Sequence, residues 1–147
     1  MNCALRDATP ADADVIARLL TELGHPTASV DVPDRMTAVL KENGRIVIAD
    51  VDDFPLGLMC LARHSALHAS GPIAYITALV TTSAARRKGV GRALVEEAKR
   101  WALANGCVRL SVTSAEKRTD AHAFYPSCGL PFTGRRFATP LSDTPAS

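Results

Sequence analysis

At 147 residues the chain fits one domain with its own core, and 47% hydrophobic with 22% charged residues is the balance of an ordinary globular protein. No apolar run approaches the roughly 18 residues of a membrane helix, and the opening MNCALRD lacks the apolar core of a signal peptide, so no membrane partner and a cytoplasmic location are expected. A net charge of +2, with cations dispersed except at 86–88 and 135–136, excludes the broad basic surface of a non-specific nucleic-acid binder.

Residues 3–7 suit a first strand, and Thr9-Pro10 supplies an N-cap followed by proline at the first helical position. That helix is predicted to reach Leu23 with Val15, Ile16, Leu19, Leu20 and Leu23 inward, and Gly24-His25-Pro26 ends it. A second helix over 33–42 is expected to bury Met36, Val39 and Leu40 before Asn43-Gly44 turns the chain. Residues 45–49 read as a strand, 50–54 as a hairpin turn and 55–63 as the antiparallel partner. A loop over 64–72 leads to 73–81 (IAYITALVT), whose apolar, β-branched composition fits a buried strand.

The turn 82–91 (TSAARRKGVG) follows, and behind it a helix over 91–105 sets Leu94, Val95, Ala98, Trp101 and Ala102 on one face. Asn105-Gly106 leads into a strand over 107–113, which a right-handed helical crossover makes parallel to the strand at 73–81. Residues 119–127 read as a short helix capped by Thr119 or Asp120, with Pro126 disturbing its last turn. Residues 130–137 can form a last strand, and the Pro-, Ser- and Thr-rich tail at 139–147 needs no order. The expected fold is α+β, one domain over 1–147 with a mixed, mostly antiparallel sheet and helices on both faces.

Chemistry concentrates at 82–91. A helix start offers backbone N–H groups without helical acceptors and the positive end of the dipole, which suits an anion. Gly89 and Gly91 let a phosphate approach the main chain, and Arg86, Arg87 and Lys88 add charge; a basic surface turn is the alternative. Lys88 precedes its glycine, so a Walker loop is excluded, and Leu94 stands where a dinucleotide fingerprint needs a third glycine. A strand followed by such a turn and then a parallel strand can open a slot whose backbone edge pairs with the amides of a pantetheine arm. Four cysteines, Cys3, Cys60, Cys107 and Cys128, lie far apart with no C-x-x-C pair and are expected as buried free thiols.

The segment ARRKGVG resembles the R-x-x-G-x-G acyl-CoA loop of the GNAT superfamily of N-acetyltransferases at Arg86, Gly89 and Gly91, and AHAFYPSCGL resembles that family's A-x-x-F-Y-x-x-x-G-F segment at Ala121, Phe124, Tyr125 and Gly129. The resemblance implies that the main chain from Arg87 through Lys88, Gly89, Val90 and Gly91 to Arg92 holds the CoA pyrophosphate. It further implies a bulge near Leu79 and Val80 whose backbone meets the pantetheine arm, a parallel strand pair splayed for acyl-CoA, and Tyr125 as the acid that protonates the departing thiolate. A packed aromatic with a wet hydroxyl is the other reading of Tyr125. The implied reaction is transfer of acetyl from acetyl-CoA to a primary amine of a small molecule by direct attack, and resemblance to dimeric relatives implies a homodimer.

Many relatives carry glutamate on the central strand, where this chain has no acid and offers Tyr75 and Thr77. A water relay or a base on another loop could take the amine proton; loss of turnover, leaving an acyl-CoA sensor or interaction domain, is the competing reading. His64 and His68 would share a face if RHSALH made a helical turn, giving a pair able to hold a divalent metal, against a solvated loop with incidental histidines. HSALH, TDAHAFY and RRFATPL resemble aminoalkylphosphonate acetyltransferases, a subgroup that uses such a metal. His122 could line the slot or pack, and Arg135 and Arg136 could meet an anionic acceptor or form a solvated turn.

Overall fold

A computed structural model describes residues 2–86, 88–113, 119–134 and 136–142. The chain falls into two compact units, Met1–Val112 and Thr113–Ser147.

In the first unit five strands lie in the order β1 (Cys3–Asp7), β2 (Arg45–Val51), β3 (Phe54–His64), β4 (Ile73–Thr81) and β5 (Arg109–Val112). The first three pairings are antiparallel and β4 with β5 is parallel. The β2–β3 turn is tight because Asp52 and Asp53 both take positive φ, 50° and 70°, which a two-residue hairpin turn requires and aspartate tolerates.

α1 (Ala13–Leu23) and α2 (Val32–Lys41) cover one face of this sheet. Alternation along the strands turns Ile46, Ile48, Leu58 and Val80 toward them, and these join Ile16, Leu19, Val32 and Met36 in one apolar core. Leu40 is not in it: it is 52% exposed, and Val32, Met36 and Val39 take the inward positions because α2 is rotated to turn those residues to the sheet. α1 is preceded by a 3₁₀ turn at Pro10–Asp12 and closes on Gly24 in the left-handed region.

α3 (Val90–Ala104) lies on the opposite face, with Leu94, Val95, Ala98 and Ala102 buried and Trp101 half-buried. Gly57 lets it come close: a Cβ there would sit 3.1 Å from Val90 Cγ1 and 3.0 Å from the Ala49 Cβ. The start of α3 is thereby seated on β3.

In the second unit α4 (Thr119–Ser127) is followed by irregular chain. The strand expected over 130–137 is not formed at its described residues. Pro131 has no N–H to give a ladder and Gly134 weakens a strand interior, so the apolar residues between them do not suffice. Residues 143–147 of the expected flexible tail lie outside the described residues.

An ion network ties β1 to the start of α1. Arg6 gives Nη1 and Nη2 to the two Asp12 oxygens, each at 2.9 Å, and Nε to Asp50 at 2.7 Å. Asp12 also accepts the Thr9 amide at 2.8 Å. The Arg6 hydrogen bonds above all hold the Asp12 carboxyl below its ordinary range, against the opposing effect of burial. A depressed carboxylate contributes stability that is present above its unfolded pKa, near about 3.9, and lost as pH falls through the folded value. Arg6 is 40% exposed, so solvent screens the pair, and Asp12→Ala should lower stability at pH 7 by only about 1–2 kcal/mol. Urea unfolding at pH 7 and near pH 2 checks this: the deficit should shrink in acid.

Candidate active site

β4 and β5 are paired only from Ile73 with Arg109 to Ile76 with Val112. β4 runs on to Thr81, so along 77–81 its β5-side edge has no strand partner among the described residues. The parting coincides with an irregularity in the β3–β4 ladder, where Cys60 faces Ala78 and Leu61 faces Ile76. Thr77 is the extra residue. The bulge therefore sits at Thr77, two residues before the place expected near Leu79 and Val80, and it reverses which side chains face α1 and α2. Past it, Val80 turns into the α1/α2 core at 6% exposure and Leu79, half-buried, opposes Met59. Their main chain lies along the open edge.

The strand leads into a 3₁₀ turn at Ser83–Ala85 and then to Arg86 in extended conformation. Gly89 has φ 78°, a left-handed conformation that starts α3 and that other residues adopt at a cost. A Cβ on Gly89 would meet nothing within 4 Å, so space is open in front of the loop. The first helical bond runs from the Ala93 N–H to the Gly89 carbonyl at 3.0 Å, which leaves the amides of Val90 and Gly91 without helical acceptors. Arg86, Lys88 and Arg92 are exposed around them, while the Val90 side chain is buried at 1% and contributes only main chain. Arg87 lies outside the described residues. Directly before the turn, the Thr82 hydroxyl is buried with no hydrogen-bond partner among the described residues. Open space, unpaired amides and three described cations fit the pyrophosphate of CoA, and an edge free over 77–81 fits an amide-bearing arm.

No acid stands on β4. Thr77 is exposed at the bulge and gives its hydroxyl to the Cys60 carbonyl at 3.3 Å. Tyr75 lies against the His64 ring, 5.5 Å between centroids at 55°. His64 ends β3 opposite Ile73, and 65–72 contains no helix, so the shared face that a helical turn would give His64 and His68 is not formed. Among the described residues no group of three or more His, Cys, Asp or Glu is placed to hold a metal ion.

All four cysteines are free, but only Cys128 is buried; Cys3, Cys60 and Cys107 are half-buried because each lies near the end of an element or beside the bulge. Burial pushes the Cys60 thiol up, with the nearby Thr77 hydroxyl and Leu61 main chain opposing it, so Cys60 is held as a thiol and is poorly suited to carry an acyl group.

Within the second unit, Tyr125 on α4 is half-buried and meets Phe124 edge-on, 5.2 Å between centroids at 65°. Its carbonyl accepts the N–H groups of Cys128 and Leu130, each at 3.0 Å, which closes the helix. His122 is exposed, as is Arg136, and Arg135 lies outside the described residues.

Sequence reasoning placed the bulge two residues late, near Leu79 and Val80, and missed the role of Gly57. Thr77, the interior one of two threonines in the run 73–81, was the available signal for the bulge's position; an isolated glycine inside a strand pattern was the signal for Gly57.

The model of the Acetyltransferase (GNAT) family matches residues 15–130. An uncharacterized N-acetyltransferase, YhdJ of Bacillus subtilis, is 30% identical over 111 residues, 76% of this chain and 75% of its own. Aminoglycoside N(6')-acetyltransferase type 1 of Stenotrophomonas maltophilia is 28% identical over 135 residues, covering 89% of this chain and 88% of its own. Among solved structures, the aminoglycoside N-acetyltransferase AAC(6')-Iy in complex with CoA superposes with a TM-score of 0.83 over 95% of this chain and 94% of its own, at 16% identity, a likeness of fold. No helix among the described residues is long and apolar enough to cross a membrane.

Proposed function

The chain belongs to the GNAT acetyltransferase family, and from that premise we propose that it transfers acetyl from acetyl-CoA to the primary amine of a small molecule by direct attack. The observation that carries this reading is the continuous path from the open edge of β4 into the glycine turn at the start of α3. The edge offers backbone groups to the arm of the cosubstrate, and the amides of Val90 and Gly91 with Arg86, Lys88 and Arg92 offer charge and donors to its pyrophosphate. Tyr125 is assigned the proton that the departing sulfur takes up. With Thr77 at the bulge and no carboxylate on β4, the amine proton is assigned to water ordered by main-chain carbonyls.

The same lack of a carboxylate on β4 favours a second reading, an acyl-CoA sensor without turnover. The experiment is thiol release from acetyl-CoA by the full chain against a panel of primary amines, with and without a divalent ion, beside calorimetric binding of acetyl-CoA. Amine-dependent release supports the enzyme. Tight binding with no amine-dependent release supports the sensor, and no binding removes both.

A homodimer belongs to this proposal. Phe132 and Phe137 are 77% and 90% exposed, apolar surface that a second copy would cover. Sedimentation should show a dimer at assay concentration; a monomer even at high concentration would remove it.

A further inference from the structure

On the face of the sheet covered by α1 and α2, the side chains do not fill the space between helices and strands. A cavity of about 150 Å³ remains there. Its inner wall is apolar core: Ile16, Met36, Ile46 and Leu58 are each at most 6% exposed. On the strand side it ends at Thr77 and Ala78, at the bulge where β4 parts from β5. On the helix side it reaches the exposed Arg35. It opens to solvent at its rim, and an apolar recess of this volume has room for a benzene-sized group.

Charge narrows what could enter. No carboxylate lines the cavity among the described residues, and Arg35 makes no ion pair among them. A second ammonium on the acceptor would lose water without gaining a counter-charge and would face a guanidinium. Thr77 gives its hydroxyl proton to the Cys60 carbonyl, which leaves its lone pairs as acceptors for an N–H at the bulge.

Resting on the acetyl-transfer reading above, we infer that the acceptor is a primary amine on a compact apolar body of roughly six-membered-ring size, with the amine at Thr77 and Ala78. A polycationic amino sugar is not the acceptor. The class spans a neutral apolar body, as in an arylalkylamine, and one carrying a carboxylate toward Arg35, as in an apolar amino acid; both share the chemistry that the cavity selects.

The test compares kcat/KM by thiol release for 2-phenylethylamine, phenylalanine, ethanolamine, 2-aminoethylphosphonate and an aminoglycoside. One aromatic amine should exceed ethanolamine by about 10- to 150-fold, the worth of burying a side chain of that size. Arg35→Gln should lower the rate for phenylalanine and leave phenylethylamine unchanged if the carboxylated form is preferred, and should change neither if the neutral form is. Leu20→Phe, which fills the cavity from its half-buried rim, should raise KM for the aromatic amines and leave ethanolamine and acetyl-CoA affinity as they were. A readout independent of turnover is the methyl NMR signal of Met36, which should shift on titration with phenylethylamine in the parent protein. Ethanolamine, the phosphonate or the aminoglycoside matching or exceeding both aromatic amines would overturn the inference while leaving acetyl transfer standing. No amine-dependent thiol release with any of the five acceptors would instead remove the acetyl-transfer reading, and the Met36 signal then decides the cavity alone: a shift supports an apolar ligand site, no shift ends it.

Discussion

Gly89→Val should weaken acetyl-CoA binding by about 10- to 150-fold, the equivalent of one charge-assisted amide–phosphate bond. The loop's geometry carries the expectation. Beyond its chain neighbours, a Cβ at Gly89 would meet no described residue within 4 Å, so the new side chain would project into the open space at the start of α3, beside the amides of Val90 and Gly91 that lack helical acceptors. Valine has a second effect, because φ 78° is a left-handed conformation that costs a β-branched residue about 1–2 kcal/mol of stability. Gly89→Asn separates the two. Asparagine tolerates the left-handed region and should cost the fold little, while its side chain occupies the same space. Calorimetric titration of both variants with acetyl-CoA, beside their urea midpoints, is the measurement. Parental affinity in the folded Gly89→Asn variant would remove the pyrophosphate loop from 86–92.

The part of the fold that positions this loop was legible because its signals are local. β-branched residues over 73–81 and paired glycines before an amphipathic helix each have a physical meaning that does not depend on the rest of the chain, and β4 and α3 appear where those signals put them. The failures share a cause of another kind. Leu40 has helical spacing suited to burial, yet whether it or Val32 faces the sheet depends on how α2 is rotated, which only its packing partners decide. The segment 130–137 has apolar residues for a strand but Pro131 and Gly134 weaken the ladder that would have to hold it. The bulge at Thr77 is a matter of register between two strands, and register leaves little trace in one of them alone. The cavity beside it is a difference between volumes of residues far apart in sequence, from Ile16 to Ala78, which no periodicity records. At the candidate site, the glycines and cations were readable as an anion loop, whereas the absence of an acid at the bulge was readable only as an absence, without the Thr77 to Cys60 hydrogen bond that stands there.

Tyr125→Phe should lower turnover by about 10²- to 10⁴-fold and leave acetyl-CoA affinity nearly intact. As the amine nitrogen bonds to the acetyl carbon, the carbon–sulfur bond breaks and its electron pair ends on sulfur. A phenol placed there gives its proton to that sulfur as charge develops, and water returns the proton to the tyrosinate afterwards. The substitution removes a single oxygen. The ring keeps its edge-on contact with Phe124, and the main-chain carbonyl still accepts the N–H groups of Cys128 and Leu130 that close α4. A purely packed aromatic would show no change in rate. The discriminating measurement is single-turnover kinetics across pH with the amine saturating, together with direct cosubstrate binding and a urea midpoint. A rate depressed at every pH at which the parent reacts, with both other quantities held, assigns the proton to Tyr125. A Phe variant that reacts at the parental rate while chemistry limits turnover would return the tyrosine to packing and leave the thiolate to be protonated by solvent.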